Sequence, residues 1–306
     1  QVYENGYALL TDALEGGESL TGEFVFNLWD THGFPAEMTQ EIANEHGVET
    51  DMAGFELEME GQRQRARSTA KFGGDRAKIR VYEGLGVGGT QFLGYETLNA
   101  SSVVVGLILD GEAVSRATEG QEVEVVLVCT PFYAEGGGQV GDTGEIVAAA
   151  GRMEVNDTQQ VMPDLIVQFG RVVEGAMEMG DAVDAHVDPV RRQDTARNHT
   201  ATHLLHAALR QVLGVHVRQA GSLVAPDRLR FDFTHVQPVT HEEMWQVQFL
   251  VNEKIRQNAQ IVKDEDSYQS AIRRGALAFF GDKYGDTVRL IEIANGKSFS
   301  FEVCGG

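Results

Sequence analysis

Arg197-Asn198-His199-Thr200-Ala201-Thr202-His203-Leu204-Leu205-His206-Ala207-Ala208-Leu209 is the stretch on which the reading of this chain turns. With Asp194 and Thr195 as candidate N-caps, it predicts a helix running through about Leu213. His199 and His203 lie four apart, so on a helix their imidazoles project from one face a turn apart, a spacing that a single metal ion can bridge. Two ligands do not make a site, and His199, His203 and His206 read equally as polar positions on an amphipathic helix. Cys304 supplies a third donor. A thiolate in a turn beside Gly305 and Gly306 is uncrowded, and His, His and Cys are ligand types that Zn²⁺ prefers. A zincin protease is excluded because no Glu follows His199 to act as general base, and a serine nucleophile elbow is absent.

Around this stretch the composition is that of a soluble globular protein with two or three folded units. The chain has 306 residues, 42% of them hydrophobic and 23% charged, with 35 glycines, which excludes disorder and collagen. Two cysteines, Cys129 and Cys304, cannot staple a chain of this length, so a reducing compartment, the cytoplasm, is the expectation. No apolar run approaches the roughly 18 residues of a membrane span, and the start lacks a signal-peptide pattern. Gln1 and the Gly305-Gly306 end directly after a cysteine read as cut ends of something longer.

Net charge is -21, which argues against nonspecific polyanion binding. The charge is unevenly spread. Residues 1–62 carry 14 acids and no Lys or Arg, whereas residues 63–80 carry Arg63, Arg65, Arg67, Lys71, Arg76, Lys78 and Arg80 against Asp75 alone. Residues 191–306 hold 15 bases and 13 acids, the only long block with a positive balance. A nucleic-acid partner would dock there or on the 63–80 run, whose bases otherwise read as a solvated helix face.

Periodicity divides the chain into three blocks. From Leu20 to about Lys71 the apolar positions predict three helices, with Pro35 in the first turn of the second and Gly73-Gly74 ending the block. Val103–Leu109, Val123–Val128 and Leu165–Val173 are β-type runs, so residues 90–185 read as a small barrel or sandwich. In the third block, strands are expected near His216, over Leu229–Phe233, Val288–Ile293 and Phe299–Val303. Thr240 and Glu243 form a capping-box pattern ahead of Met244, Val247, Val251 and Ile255. Gly136-Gly137-Gly138 reads most simply as a turn, and Cys129 as a buried structural thiol.

The stretch from Arg197 to Leu209 resembles the editing-domain signature of alanyl-tRNA synthetases and of their free-standing editing relatives. His216-Val217-Arg218-Gln219-Ala220-Gly221-Ser222 and Leu229-Arg230-Phe231-Asp232-Phe233-Thr234-His235 are similar to the next two blocks of that family. Phe301-Glu302-Val303-Cys304-Gly305-Gly306 is similar to the start of its Cys-x-x-x-His motif. Upstream, Thr130-Pro131-Phe132-Tyr133-Ala134-Glu135-Gly136-Gly137-Gly138-Gln139, followed by Gly141-Asp142-Thr143-Gly144, resembles its Gly-rich segment. Asp30-Thr31-His32-Gly33-Phe34-Pro35, with the helical stretch to Lys71, is similar to the end of the synthetase's tRNA-recognition region, which the free-standing relatives lack.

The resemblance implies an α+β multidomain chain: residues 1–80 as the C-terminal part of a helical tRNA-recognition domain, 81–188 as a β-barrel domain carrying the Gly-rich motif, and 189–306 as an editing domain of the alanyl/threonyl-tRNA synthetase type, truncated inside its zinc motif. It implies one Zn²⁺ on His199, His203 and Cys304, with a fourth ligand, a His, four residues after Cys304 and so beyond Gly306. Thr202 and Gln219 are implied as catalytic pocket residues, and Gly137, Gly138, Gln139, Arg230 and Asp232 as substrate-binding or supporting ones. The family implies tRNA(Ala), especially its acceptor end, and the remainder of a synthetase chain as partners, and hydrolysis of Ser-tRNA(Ala) and Gly-tRNA(Ala) as the reaction. Ligation of alanine, with ATP and Mg²⁺, would belong to the parent enzyme outside this chain. Whether zinc would position the aminoacyl group, polarise its carbonyl or activate water is open. Alternative readings are a free-standing trans-editing hydrolase and, if the zinc site stays empty, a noncatalytic tRNA-binding module.

Overall fold

The computed structural model describes residues 2–17, 19–59, 75–278 and 287–305. They fall into two compact units, 1–77 and 78–306. In the first, α1 (Val2–Gly16), α2 (Gly22–His32), α3 (Ala36–Glu45) and helical residues 52–59, here α4, enclose two apolar clusters. Leu10, Leu20, Leu28, Phe34 and Met38 form one, and Val25, Ala36 and Phe55 the other. Helix α1, ahead of Leu20, goes beyond the three helices expected. Thr21 caps α2 by accepting from Phe24 N, and Pro35 serves as the N-cap of α3, one position before the expected first turn. The rest of the helix expected to reach Lys71, with Arg63, Arg65, Arg67 and Lys71, lies outside the described residues, as does the side chain of Arg76.

The second unit opens within α5 (Asp75–Gly84), at Lys78, and Lys78 and Arg80 are exposed. Next come β1 (Gln91–Phe92), β2 (Asn99–Leu109), β3 (Glu112–Ala113), β4 (Arg116–Thr118), β5 (Glu122–Leu127), β6 (Cys129–Thr130), β7 (Gly144–Ala148), β8 (Gly151–Met162), β9 (Leu165–Glu178) and β10 (Ala182–Val187). Strands β2, β5, β9, β8, β7 and β10 pair antiparallel in that order, and β10 pairs back onto β2, which closes a six-stranded barrel. The unbroken apolar run Val125-Val126-Leu127 at the end of β5 has a simple cause. Val123, Val125 and Leu127 enter the core with Ile146, Met153 and Val183, while Val126 on the other face packs with Tyr82 and Ile108. Cys129 departs from the buried thiol expected of it: it is half-buried, with its sulfur 3.5 Å from both Ser101 O and Ser102 Oγ.

Helix α6 (Pro189–Leu213) starts earlier than Asp194 and Thr195 suggested. Asp188 accepts from Val190 N and Arg191 N, Pro189 takes the first helical position, and Thr195 turns its hydroxyl back onto Arg191 O. A hairpin of β11 (Gln219–Val224) and β12 (Leu229–Phe233) follows, then α7 (His241–Arg256), begun by the expected Thr240/Glu243 capping box. The chain continues through β13 (Gln260–Ser267), α8 (Tyr268–Arg273), β14 (Thr287–Asn295) and β15 (Lys297–Cys304), with β13, β14 and β15 paired antiparallel. Strand β13 has no apolar alternation to betray it, because it lies at the edge and is almost wholly exposed. Leu204 of α6 packs on Ile291, Ile293 and Cys304, and Ala208 and Leu209 pack on Val217 and Val247.

One buried ion pair joins α6 to the barrel. Arg192 Nε donates to both Asp142 carboxylate oxygens at 2.9 Å, and its guanidinium also reaches Gly94 O at 2.7 Å and Pro131 O at 2.9 Å. Asp142 accepts in addition from Tyr133 N at 2.7 Å. Removing one partner strands a charge in a site built for two, at a cost of about 3–5 kcal/mol. Asp142→Ala is therefore expected to lower the unfolding free energy from urea titration by about 3–5 kcal/mol, and the apolar double variant Arg192→Met/Asp142→Leu to lose less than the two single changes summed. A strictly additive pair would contradict the coupling.

Candidate metal centre

Helix α6 and strand β15 meet with two different periods, and the site is where they coincide. On α6, His199, His203 and His206 share a face because they are spaced four and three residues apart. On β15, Glu302 and Cys304 share a face because they are two apart. The imidazoles of His199 and His203 stack with centroids 5.2 Å apart. Cys304 Sγ lies 3.2 Å from His199 Nε2, and the donor atoms of His199, His203 and Cys304 all lie within 4.8 Å of one another. Among the described residues this is the one such group of three or more potential ligands.

The outer nitrogens are engaged elsewhere. His199 Nδ1 is 2.7 Å from Gln139 Oε1 and His203 Nδ1 is 2.6 Å from Glu302 Oε2, while the other Glu302 oxygen is 2.8 Å from His206 Nδ1. Nε2 of each ligand imidazole is thus left toward the cluster. Ligands bound tetrahedrally at 2.0–2.3 Å from one ion stand roughly 3.3–3.6 Å apart, so modest side-chain movement closes this cluster on Zn²⁺.

The electrostatics suit a cation. Burial alone would push the Cys304 thiol up, but hydrogen bonds and charge from His199 and His203 outweigh it and bring it down to about 5. Burial would lower His203, yet Cys304 and Glu302 raise it to about 10. Burial would raise Glu302, and the bonds from His203 and His206 pull it to about 2. A thiolate and a carboxylate thus enclose one imidazolium, and a metal ion would take the place of its proton.

A cleft of about 520 Å³ opens on the cluster. Gly137, Gly138, Thr202 and Gln219 line it, together with Ser222, Phe231 and the metal-facing residues. Thr202 donates to Asn198 O at 2.9 Å, which leaves its oxygen able to accept from a ligand. The Gly136–Gln139 segment is the expected turn, with reciprocal backbone bonds of 3.1 and 2.9 Å, and also a close approach. Gly138 has φ +84°, and a Cβ there would stand 2.3 Å from Ser222 Oγ. Its carbonyl accepts from Val224 N at 2.7 Å, and Val140 N donates to Val224 O at 3.0 Å, so the loop docks on β11 through backbone alone.

The structure does not bring Arg230 or Asp232 to the wall of this cleft, and it places Gln139 instead on the wall of a second cleft, of about 410 Å³, that also opens on His199, His203 and Cys304. Arg230 and Asp232 are exposed and bond each other at 3.1 Å, on the side of β12 opposite Phe231, as strand alternation requires. The Gln139 amide oxygen faces His199 Nδ1. The residues whose part sequence reasoning missed are Glu302, known only as a motif neighbour of Cys304, and His206; their one signal was strand spacing from Cys304 and helix spacing from His203.

Residues 2–191 match the family of class II (A) tRNA synthetases. Relatives matched over almost the whole chain are alanine–tRNA ligases. That of Roseiflexus sp. (strain RS-1) is 48% identical over 293 residues, 94% of this chain and 32% of the relative. That of Halorhodospira halophila is 47% identical over 308 residues, 100% of this chain and 35% of the relative, and that of Chloroflexus aurantiacus 47% over 302 residues, 95% and 33%. The chain belongs to the class II tRNA synthetases. Within that class it is similar to the alanine–tRNA ligases, and it spans about a third of the length of the curated relatives it matches. No helix among the described residues is long and apolar enough to cross a membrane.

Without metal, the cluster should imprint a defined pH dependence. His203, raised from 6.5 to about 10, contributes stability fully present below pH 6.5 and lost as pH rises to 10. Cys304, depressed from 9.0 to about 5, contributes stability fully present above pH 9 and lost as pH falls to 5. Between about pH 6.5 and 9 the two trends oppose, so the stability difference between chelator-treated wild type and His203→Ala/Cys304→Ala should be nearly flat there and fall on either side. A steady slope across that window in urea titrations would disprove the coupling.

Proposed function

We propose that the cleft is a hydrolytic editing site, which cleaves the ester joining serine or glycine to the 3′ end of tRNA(Ala), within an enzyme that elsewhere ligates alanine to the same tRNA with ATP and Mg²⁺. The observation that carries this reading is the convergence of His199, His203 and Cys304 at the wall of a cleft also lined by Thr202 and Gln219. His199, His203 and Cys304 would hold one Zn²⁺, which supplies Lewis-acid chemistry at an ester carbonyl or a bound water.

The remaining work falls to the chain. Thr202, with an oxygen free to accept, and the Gln219 amide can bind the ammonium or hydroxyl of a small polar amino acid. Gly137 and Gly138 bring backbone close to the acyl group without side-chain bulk. Phe231 and the buried cluster limit water. The need for such a site is physical: a pocket that accepts alanine cannot exclude glycine by size and discriminates only modestly against one added hydroxyl, so a second, hydrolytic site is required. In this reading residues 1–80 contribute tRNA recognition, 81–188 a barrel that presents the Gly-rich loop, and 189–306 the editing machinery, in the cytoplasm.

The full-length protein should contain one zinc at this site and release serine from Ser-tRNA(Ala). His203→Ala should lose zinc and hydrolysis together, the latter by at least 100-fold, while alanine ligation persists. Hydrolysis unchanged in a zinc-free His203→Ala protein would remove the metal from the reaction.

A further inference from the structure

A neutral imidazole carries one N–H, and the acceptor facing one nitrogen decides which nitrogen is left to bind a metal. Both ligand imidazoles here have such an acceptor, and neither acceptor comes from their own helix. Gln139 reaches His199 from the Gly-rich loop, at 2.7 Å, and Glu302 reaches His203 from β15, at 2.6 Å. Glu302 is itself held at 2.8 Å by the fully buried His206, so its two oxygens are shared between two rings one helical step apart.

We propose that Gln139 and Glu302 are positioning residues, each accepting the Nδ1 proton of one imidazole and thereby turning Nε2 of His199 and of His203 toward the ion, with His206 fixing the Glu302 carboxylate. This rests on the metal-dependent reading of the site. It gives Gln139 a task different from the substrate contact that the family resemblance implied. The two acceptors are chemically unequal. A carboxylate makes its imidazole a stronger donor than an amide does, so His203 is the more tightly bound ligand and Glu302 the more consequential support. Glu302 and Cys304 also share one strand face, so orienting group and sulfur ligand come into register together: a one-residue slip of β15 would withdraw both.

The test is metal affinity of the full-length protein, read by Co²⁺ titration of the thiolate charge-transfer band and by Zn²⁺ competition against a chromogenic chelator. Glu302→Gln keeps the shape and loses the charge, and should weaken binding about 10–100-fold, in the range found for groups that orient metal ligands. Gln139→Leu should weaken binding as well, whereas Gln139→Glu, which keeps an acceptor, should bind at least as tightly as wild type. A purely structural role would instead lower the thermal midpoint of the metal-free variants and leave affinity unchanged. Wild-type affinity in both Glu302→Gln and Gln139→Leu would overturn the assignment. Failure of the wild-type protein itself to take up Co²⁺ or Zn²⁺ would remove the metal reading, and this assignment with it.

Discussion

The carboxylate of Glu302, buried between the imidazoles of His203 and His206, is the contact that organises the third block of the chain. An ionised carboxylate removed from water is strongly unfavourable unless it is fully hydrogen-bonded and charge-compensated. Two ring N–H groups from one helix meet that requirement only if β15 lies against α6 in a single register. That register sets the position of Cys304, two residues further on, and it packs Leu204 against Ile291 and Ile293.

The barrel serves the site at second hand. Its apolar interior needs nothing beyond itself, but the segment between β6 and β7 leaves it to form one wall of the cleft. Asp142 sits in this segment and anchors it to α6 through Arg192, while Tyr133 reaches Gly136 O and Gly305 O with its hydroxyl, at 2.9 and 3.2 Å. Loop, helix and terminal strand are therefore fixed to one another by polar contacts. Such an arrangement fixes the spacing of the cleft walls.

How much of this was legible beforehand follows from the range over which each signal acts. The capping box at Thr240, the β-branched runs of the barrel and the four-residue spacing of His199 and His203 are local, and they are read directly from neighbours in sequence. Cys304 is about a hundred residues from His199, yet its residue type and flanking glycines marked it as a donor. Glu302 and Gln139 carried no such mark: an acceptor for a histidine can be almost any oxygen, and only the folded register selects which. The start of α6 was misplaced because Asp188-Pro189 lies at the end of a strand, where the cap was masked by the preceding β pattern. Strand β13 was missed because an exposed edge imposes no alternation. Arg230 and Asp232 matched a motif, but the period of β12 turns them to the outside.

The docking of the Gly-rich loop onto β11 uses only main-chain groups of Gly138, Val140 and Val224. The aperture of the cleft on that side is consequently set by peptide geometry, with Gly137 and Gly138, both at positive φ, as positions where an added side chain would disturb it. Mutational drift elsewhere along that rim can change its chemistry without changing its width, so selectivity by size and selectivity by polarity can evolve separately on the same scaffold.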